Sequence, residues 1–220
     1  GLEARLMSRE VQKTPRSLKV FIFITKPNFH NYLVPLGYAY VSSTLKEAGY
    51  DVRIHNSSTD EDAFTKSIQQ ALQEFSPDLV ITGTSYRFHN NCPSPTVNSA
   101  LEICHQAKNL VPSCKTLLIG PLNPVLGNDL IETPSVDALA LGEPETICLS
   151  VCQILVSGEP LDKVAGLLLK VNGQTQQNLN AEYPDLTTLP LPDRDSIGLE
   201  NYISDTYFAK RATDILMSRG

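Results

Sequence analysis

The side chains best placed to do chemistry lie in four loops, each of which follows a short apolar segment. The loops cover residues 26–35, 85–95, 120–126 and 142–145. Their tips are small or polar and their neighbours are bulky: Thr84, Ser85 and Gly120 at the tips, with Phe29, Tyr32, Tyr86, Arg87, Phe88 and Leu122 beside them. A surface of this composition favours a large, flat, partly polar ligand over a phosphate group.

The common nucleotide and phosphate sites are excluded by what these loops lack. Residues 26–37 contain neither the G-x-G-x-x-G set of a dinucleotide site nor a P-loop. The third apolar segment ends on Gly83-Thr84-Ser85, where a phosphoacceptor receiver domain would carry an aspartate. The ligand must therefore be recognised by shape and polar contacts rather than by a phosphate cradle.

The cysteines do not predict a site of their own. The chain has five, an odd number spread through predicted helices and loops, which argues against a disulfide framework. Cys148 and Cys152 have i,i+4 spacing, which would suit a metal pair, but no other ligand pair completes it. We interpret them as two small, buried apolar side chains.

Composition and charge exclude further classes of function. The chain has 220 residues, a net charge of −6 and no block of Lys or Arg, so nucleic acid is not an expected partner. No apolar run approaches the roughly 20 residues that span a bilayer, and residues 1–17 are too polar for a signal peptide. We therefore expect a soluble, cytoplasmic protein that does not enter a membrane.

The elements that position the loops alternate between strand and helix five times. The apolar runs predict strands at 18–25, 51–54, 79–84, 116–119 and 136–141, and the helical periodicity predicts helices at 36–48, 60–75, 96–111, 125–132 and 146–156. This alternation predicts an α/β fold, a Rossmann-like (flavodoxin-like) five-stranded parallel sheet with helices on both faces. In such a fold ligands bind at the carboxyl ends of the strands. Tyr38 and Tyr40 occupy helical positions and are interpreted as core or rim.

The pattern changes after residue 160. Residues 165–171 and 174–178 flank Asn172-Gly173 and predict a hairpin with a type I′ turn. Residues 183–194 are rich in proline and predict an extended linker. Residues 215–217 predict a new strand, which needs a partner, so either a larger protein continues from it or the tail packs back on the domain. We thus expect a flexible lead-in at 1–17, a ligand-binding domain at 18–160, and a hairpin and linker at 161–220.

Six short motifs occur in order along the chain. They are P-L-G at 35–37, L-K-E-A-G-Y-D-V at 45–52, P-D-L-V-I-T-G-T-S at 77–85, I-G-P at 119–121, V-D-A-L-A-L-G-E at 136–143 and L-P-L-P-D-R at 189–194. Together they resemble the amino-terminal cobalamin-binding domains of radical S-adenosylmethionine enzymes. The resemblance extends over nearly the whole chain from residue 18.

The resemblance implies a place for cobalamin. The corrin ring would lie across the carboxyl edge, and its nucleotide tail would run between sheet and helices past Thr84, Ser85 and Gly120. The usual double glycine of the family is here Ile119-Gly120. The implied contacts are Phe29, His30, Leu36, Thr84, Ser85, Tyr86, Arg87, Gly120, Pro121, Leu122, Gly142 and Glu143.

The resemblance leaves the lower ligand of the cobalt open. Family members that coordinate cobalt through histidine use D-x-H-x-x-G, whereas residues 28–33 here read N-F-H-N-Y-L, which keeps His30 but loses the acid and the glycine. His30 is thus either a cobalt ligand or a loop histidine near the ring. Tyr86, Arg87 or His89 would cover the lower face in the second case.

The resemblance also implies a larger enzyme. Family members continue after a Ser-Arg-Gly like residues 218–220 into a C-x-x-x-C-x-x-C motif, which binds a 4Fe-4S cluster beside S-adenosylmethionine in a downstream barrel. The strand at 215–217 would be the first of that barrel. The implied function is a cobalamin module for methyl transfer from methylcobalamin to a substrate radical. The alternative is a degenerate corrinoid fold that binds a partner protein through the same edge and holds no cofactor.

Overall fold

The computed structural model of the protein describes residues 17–25, 34–56, 61–85, 96–207 and 209–216. Within them, a single sheet of seven strands is flanked by five α-helices. The predicted lead-in at 1–17 lies outside the described residues except for Ser17.

The sheet confirms the predicted parallel core and extends it. Strands β1 to β5 are parallel and lie in the order 2-1-3-4-5. The hairpin strands β6 and β7 continue the same sheet, because β6 pairs antiparallel with β5. The strands are β1 (Lys19–Ile24), β2 (Asp51–Asn56), β3 (Leu79–Gly83), β4 (Lys115–Ile119), β5 (Ala138–Ala140), β6 (Leu167–Val171) and β7 (Gln174–Gln177).

The hairpin joins the sheet for a reason visible in its sequence. Three successive leucines, Leu167 to Leu169, are all buried, so this strand needs apolar cover on both faces and a partner on each side. The other strand, β7, is the exposed edge strand of the sheet and reads Gln-Thr-Gln-Gln. Asn172 and Gly173 have φ of 51° and 81°, as the predicted type I′ turn requires.

The helices cover both faces of the sheet. Successive side chains of β1 point to opposite faces of the sheet. Ile22 packs with the helices of one face, and Phe23 packs with those of the other. On the first face lie α1 (Leu36–Glu47) and α5 (Pro144–Ser157); on the second lie α2 (Glu61–Phe75), α3 (Val97–Leu110) and α4 (Asn123–Leu130).

Two helices begin two residues before their predicted starts. The helix predicted at 125–132 is α4, which begins at Asn123, and the helix predicted at 146–156 is α5, which begins at Pro144. Both have a proline in the first turn, where the missing N–H has no intrahelical partner to lose. Proline therefore starts these two helices rather than delaying them.

The segment after the hairpin is fixed to α1. The carboxylate of Asp193 accepts hydrogen bonds of 2.7 Å from the Ser42 hydroxyl and from the Lys46 ammonium. The backbone N–H of Asp193 donates to the Ala39 carbonyl at 3.0 Å. Further along, Tyr202 is buried in the same core as α1 and α5.

The described part of the tail contacts the domain through Asp214. Asp214 accepts a hydrogen bond from the Val34 N–H at 3.3 Å, and its carbonyl accepts one of 2.7 Å from the Arg194 guanidinium. The prediction of a strand at 215–217 is wrong for its described residues, because Ile215 and Leu216 form no strand and Ile215 is 70 % exposed.

The described cysteines are buried free thiols. Cys148 and Cys152 are fully buried, which confirms their interpretation as apolar core residues, and Cys104 and Cys114 are buried as well. Burial raises the pKa of the Cys114 thiol to about 11 and that of the Cys152 thiol to about 12. These groups are therefore protonated and unreactive at neutral pH.

Among the described helices, none is long and apolar enough to cross a bilayer.

Gly166 provides a test of the packing between hairpin and α5. Its φ is +77°, and a Cβ added to it would lie 2.7 Å from Ile147 Cδ1 and 2.8 Å from Ala181 Cβ. Gly173 has a similar φ of +81° with open space around it. We expect Gly173→Ala to lower the free energy of unfolding by about 1 kcal/mol from backbone strain alone. Gly166→Ala should cost about 3 kcal/mol because overpacking adds to the strain. Equal losses in urea denaturation would contradict this packing.

Asp193 gives the linker contact a pH dependence. Burial opposes ionisation of this carboxyl, but hydrogen bonds from Lys46, Ser42 and Ser196 outweigh it and lower its pKa. A carboxyl with a lowered folded pKa stabilises the fold above its unfolded pKa of about 3.9, and this stabilisation is lost as the pH falls below that value. Asp193→Asn should therefore be less stable than the wild type at pH 6, and the gap should close below pH 4. A gap that is independent of pH would contradict the assignment.

Candidate functional site

The strand order places the starts of the predicted loops side by side at one end of the sheet, where the parallel strands have their carboxyl ends. We call this end the carboxyl edge, or the edge. Strand β1 pairs with β2 on one side and with β3 on the other, so the chain reverses its direction of winding between β1 and β3. This is the topological switch point at which open α/β sheets bind ligands. The carboxyl ends of β1, β3, β4 and β5 follow one another along the edge, as the sequence predicts.

The structure describes eight of the twelve predicted contacts. Phe29, His30, Tyr86 and Arg87 lie outside the described residues, so the assignment of His30 as a cobalt ligand stays a prediction. The described contacts follow the ends of β3, β4 and β5 or begin α1: Thr84, Ser85, Gly120, Pro121, Leu122, Gly142, Glu143 and Leu36.

These eight residues divide into a surface and a floor. Pro121 and Gly142 are exposed, and four others are half-buried: Leu36, Gly120, Leu122 and Glu143. In contrast, Thr84 and Ser85 are fully buried beneath the edge. Only Glu143 among the eight carries a charge. The surface therefore offers backbone groups and apolar contact rather than a charged cradle.

Gly120 shapes the middle of this surface. Its φ is +123°, in the region that favours glycine, and its carbonyl accepts a hydrogen bond of 3.3 Å from the Asn123 N–H as the chain turns into α4. The turn keeps the end of β4 short and free of a side chain. A ligand can thus approach the backbone closely at this point.

Asn123, which the sequence prediction missed, ties three strand ends together. Its Nδ2 donates to the carbonyls of Leu118 and Ala140, both at 2.9 Å, and its Oδ1 accepts from the Thr84 hydroxyl at 3.0 Å. The residue is 1 % exposed. An asparagine beside a proline at a helix start is typical of a turn, and nothing in the sequence indicates that its side chain points inward.

A second buried cluster, also missed, lies at the switch point; we name it the switch-point cluster, made of Thr25, Tyr38, Ser85 and Thr96. Thr25 Oγ1 lies 2.7 Å from Thr96 Oγ1 and 3.1 Å from the Tyr38 hydroxyl. The Tyr38 hydroxyl donates to the Ser85 carbonyl at 3.1 Å, and the Thr96 hydroxyl donates to the Gly83 carbonyl at 3.1 Å. Burial raises the pKa of the Tyr38 phenol above its ordinary value, so the group stays a hydrogen-bond donor.

Metal binding has no support within the part of the chain that the structure describes. There, no group of three or more His, Cys, Asp or Glu side chains could hold an ion. The two described histidines have structural contacts or positions: the His55 ring packs against Phe21 and Phe23, and His105 lies on the exposed face of α3.

Comparison with known proteins gives a family match over the whole edge. The family model described as B12 binding domain matches residues 25–151. An uncharacterized methyltransferase of Pyrococcus horikoshii is 27 % identical over 176 residues, which is 78 % of this chain and 36 % of that protein. The chain thus spans about a third of the length of this relative.

Two solved structures share the fold. The radical S-adenosylmethionine methyltransferase TsrM of Kitasatospora setae aligns with a TM-score of 0.61 at 18 % identity, covering 75 % of this chain and 30 % of TsrM. The cobalamin-dependent S-adenosylmethionine radical enzyme OxsB, solved with aqua-cobalamin and S-adenosylmethionine bound, aligns with a TM-score of 0.68 at 16 % identity, covering 85 % and 25 %. At these identities the likeness establishes the fold.

Asn123 can be tested by an isosteric change. Asn123→Asp places a carboxylate oxygen against the carbonyls of Leu118 and Ala140, which lose their donor inside the protein. We expect the free energy of unfolding to fall by about 3 kcal/mol. The control is Asn128→Asp, an exposed position on the same helix, where the change should stay within about 0.5 kcal/mol. Similar stabilities of the two variants in thermal denaturation would show that Asn123 does not hold the strand ends together.

Proposed function

Since this chain belongs to the B12-binding domain family, we propose that it holds cobalamin at the carboxyl edge of its sheet as one module of a radical S-adenosylmethionine enzyme. The observation that carries the proposal is the family match over residues 25–151, which extends from the end of β1 into α5 and includes every candidate contact of the edge.

The edge fits a broad, flat ligand. β3 and β4 are followed directly by the small residues Thr84 and Gly120, and Gly142 lies two residues after the end of β5. Gly120 and Gly142 would let the ligand approach the main chain, and Leu36, Pro121 and Leu122 would give apolar contact. Glu143 would accept hydrogen bonds from amide groups at the rim of the ligand. We propose Phe29, His30, Tyr86 and Arg87 as further contacts from the two loops that flank the switch point.

In this proposal, the chain positions the bound cobalamin and shields it. Cobalamin supplies, when bound, a cobalt centre that can carry a methyl group, and the protein supplies its place and surroundings. Thr84 and Ser85 form a rigid floor under the edge, because Asn123 and the switch-point cluster join neighbouring strand ends by hydrogen bonds. A rigid floor fixes the height and tilt of whatever rests on it.

The linker supports a role within a longer protein. It carries the chain to Asp214, which hydrogen-bonds the backbone of Val34 just before α1 begins. A downstream barrel that starts near this point would begin beside the first turn of α1. We propose that such a barrel holds S-adenosylmethionine and a 4Fe-4S cluster, and that the complete enzyme transfers a methyl group to a substrate radical.

Uptake of a corrinoid by the purified protein tests the proposal. We expect hydroxocobalamin to co-elute with the protein in gel filtration at a ratio of one to one, seen by its visible absorption. Gly120→Ala should weaken binding at least tenfold, because a side chain enters the middle of the edge. Gly173→Ala is the matched control, since it also changes a glycine of positive φ but lies in the turn between β6 and β7. Absence of hydroxocobalamin binding would contradict the proposal and would favour the alternative, an interaction module without a cofactor.

A further inference from the structure

We infer that residues 13–16, which read Lys-Thr-Pro-Arg, dock in a cavity between the end of α1, the start of α5 and the linker. These residues immediately precede Ser17, where the described part of the chain begins. The inference concerns a contact within this chain, and it does not depend on bound cobalamin.

The cavity has apolar walls and acidic groups. Its volume is about 340 Å³, and it is lined by the last turn of α1, the first turns of α5 and residues 184–190 of the linker. Ala48, Leu149 and Leu189 are among its apolar lining residues. None of the described lining residues is Lys or Arg, and the charged ones are Glu47, Glu145 and Asp185. We name it the acidic cavity.

The end of α1 makes the acidic cavity still more favourable for a cation. The last carbonyls of a helix carry a partial negative charge, which disfavours an acid nearby and favours a cation. Glu47 lies in this last turn and lines the acidic cavity. Lys46, the basic residue of the same turn, is engaged elsewhere, because its ammonium lies 2.7 Å from the Asp193 carboxylate and 2.7 Å from Ser196 Oγ.

A hydroxyl group on the α1 side also suits an occupant with hydrogen-bond donors. Thr44 lines the acidic cavity, and its Oγ1 is buried without a hydrogen bond to any described residue. Buried hydroxyl groups in proteins normally have partners. The charged groups of Lys and Arg are donors only, so a basic side chain would complement both this hydroxyl and the carboxylates.

Ser17 brings a basic segment to this place. Its hydroxyl donates to the Gly49 carbonyl at 3.1 Å, and Gly49 directly follows Ala48, which lines the acidic cavity. Arg16 is one residue from this anchor and Lys13 is four residues from it. Since an extended chain spans about 3.4 Å per residue, Lys13 lies within about 14 Å of Ser17.

The chemistry of the segment complements the acidic cavity. Residues 1–16 contain four cations, Arg5, Arg9, Lys13 and Arg16, against two acids, Glu3 and Glu10, although the whole chain has a net charge of −6. Lys and Arg side chains pack their long stems on apolar surface and keep their charged ends near water. The apolar walls suit the stems, and the carboxylates suit the charged ends. Pro15 favours an extended backbone at Thr14, which would separate the two basic side chains along the cavity.

Limited proteolysis of the full chain with trypsin tests this contact. Trypsin cleaves after Lys13 and after Arg5, and docking should protect only the first bond. Glu47→Lys places a cation at the acidic cavity, so cleavage after Lys13 should become at least fivefold faster relative to cleavage after Arg5. The matched control is Glu182→Lys, which makes the same change at an exposed linker residue that does not line the acidic cavity. It should leave the ratio of the two rates unchanged.

The measurement is the initial rate of each cleavage by mass spectrometry, with folding of each variant checked by circular dichroism. A wild-type ratio in Glu47→Lys would overturn the inference, as would an equal acceleration in Glu182→Lys. Protection of Lys13 that grows with protein concentration would also overturn it, because a second copy would then occupy the acidic cavity. Should Glu47→Lys fail to fold, Glu47→Gln decides in its place, with an expected acceleration of at least twofold. None of these outcomes bears on corrinoid binding, so the proposed function stands or falls separately.

Discussion

The burial of β1 on both faces is the constraint on which the rest of the structure depends. Ile22 and Phe23 point to opposite sides of the sheet and neither is exposed, so helices must cover both faces. In a sheet covered on both faces, ligands bind where loops leave the carboxyl ends of the strands. The candidate site is thus a consequence of how the core is built.

At the carboxyl edge, the buried polar groups at the ends of the strands have hydrogen-bond partners. Asn123 satisfies carbonyls of two strands and a hydroxyl of a third, and the switch-point cluster does the same between β1 and β3. Such fully paired networks in a low-dielectric interior are rigid, because every alternative arrangement leaves a buried group unpaired. Stability of the edge and precision of the ligand platform therefore have the same source.

The sequence predicts the order and type of the elements well, because strand and helix periodicities are local signals. The parallel sheet and the Asn172-Gly173 turn are confirmed. It predicts the site less fully, because its floor depends on contacts between distant residues. Thr25 and Thr96 are hydrogen-bonded although they lie 71 positions apart in the sequence, and no local sequence pattern predicts this contact. Tyr38 is predicted as core or rim and is core, but the role of its hydroxyl follows only from the fold. The strand predicted at 215–217 is wrong for its described residues, Ile215 and Leu216, because apolar composition alone does not decide strand formation.

The central claim is that cobalamin rests on the described edge, and a crystal structure of the protein with bound cobalamin tests it most directly. The account predicts the corrin ring in contact with Gly120, Leu122 and Gly142. A ring bound elsewhere, for instance between the linker and α1, would contradict it.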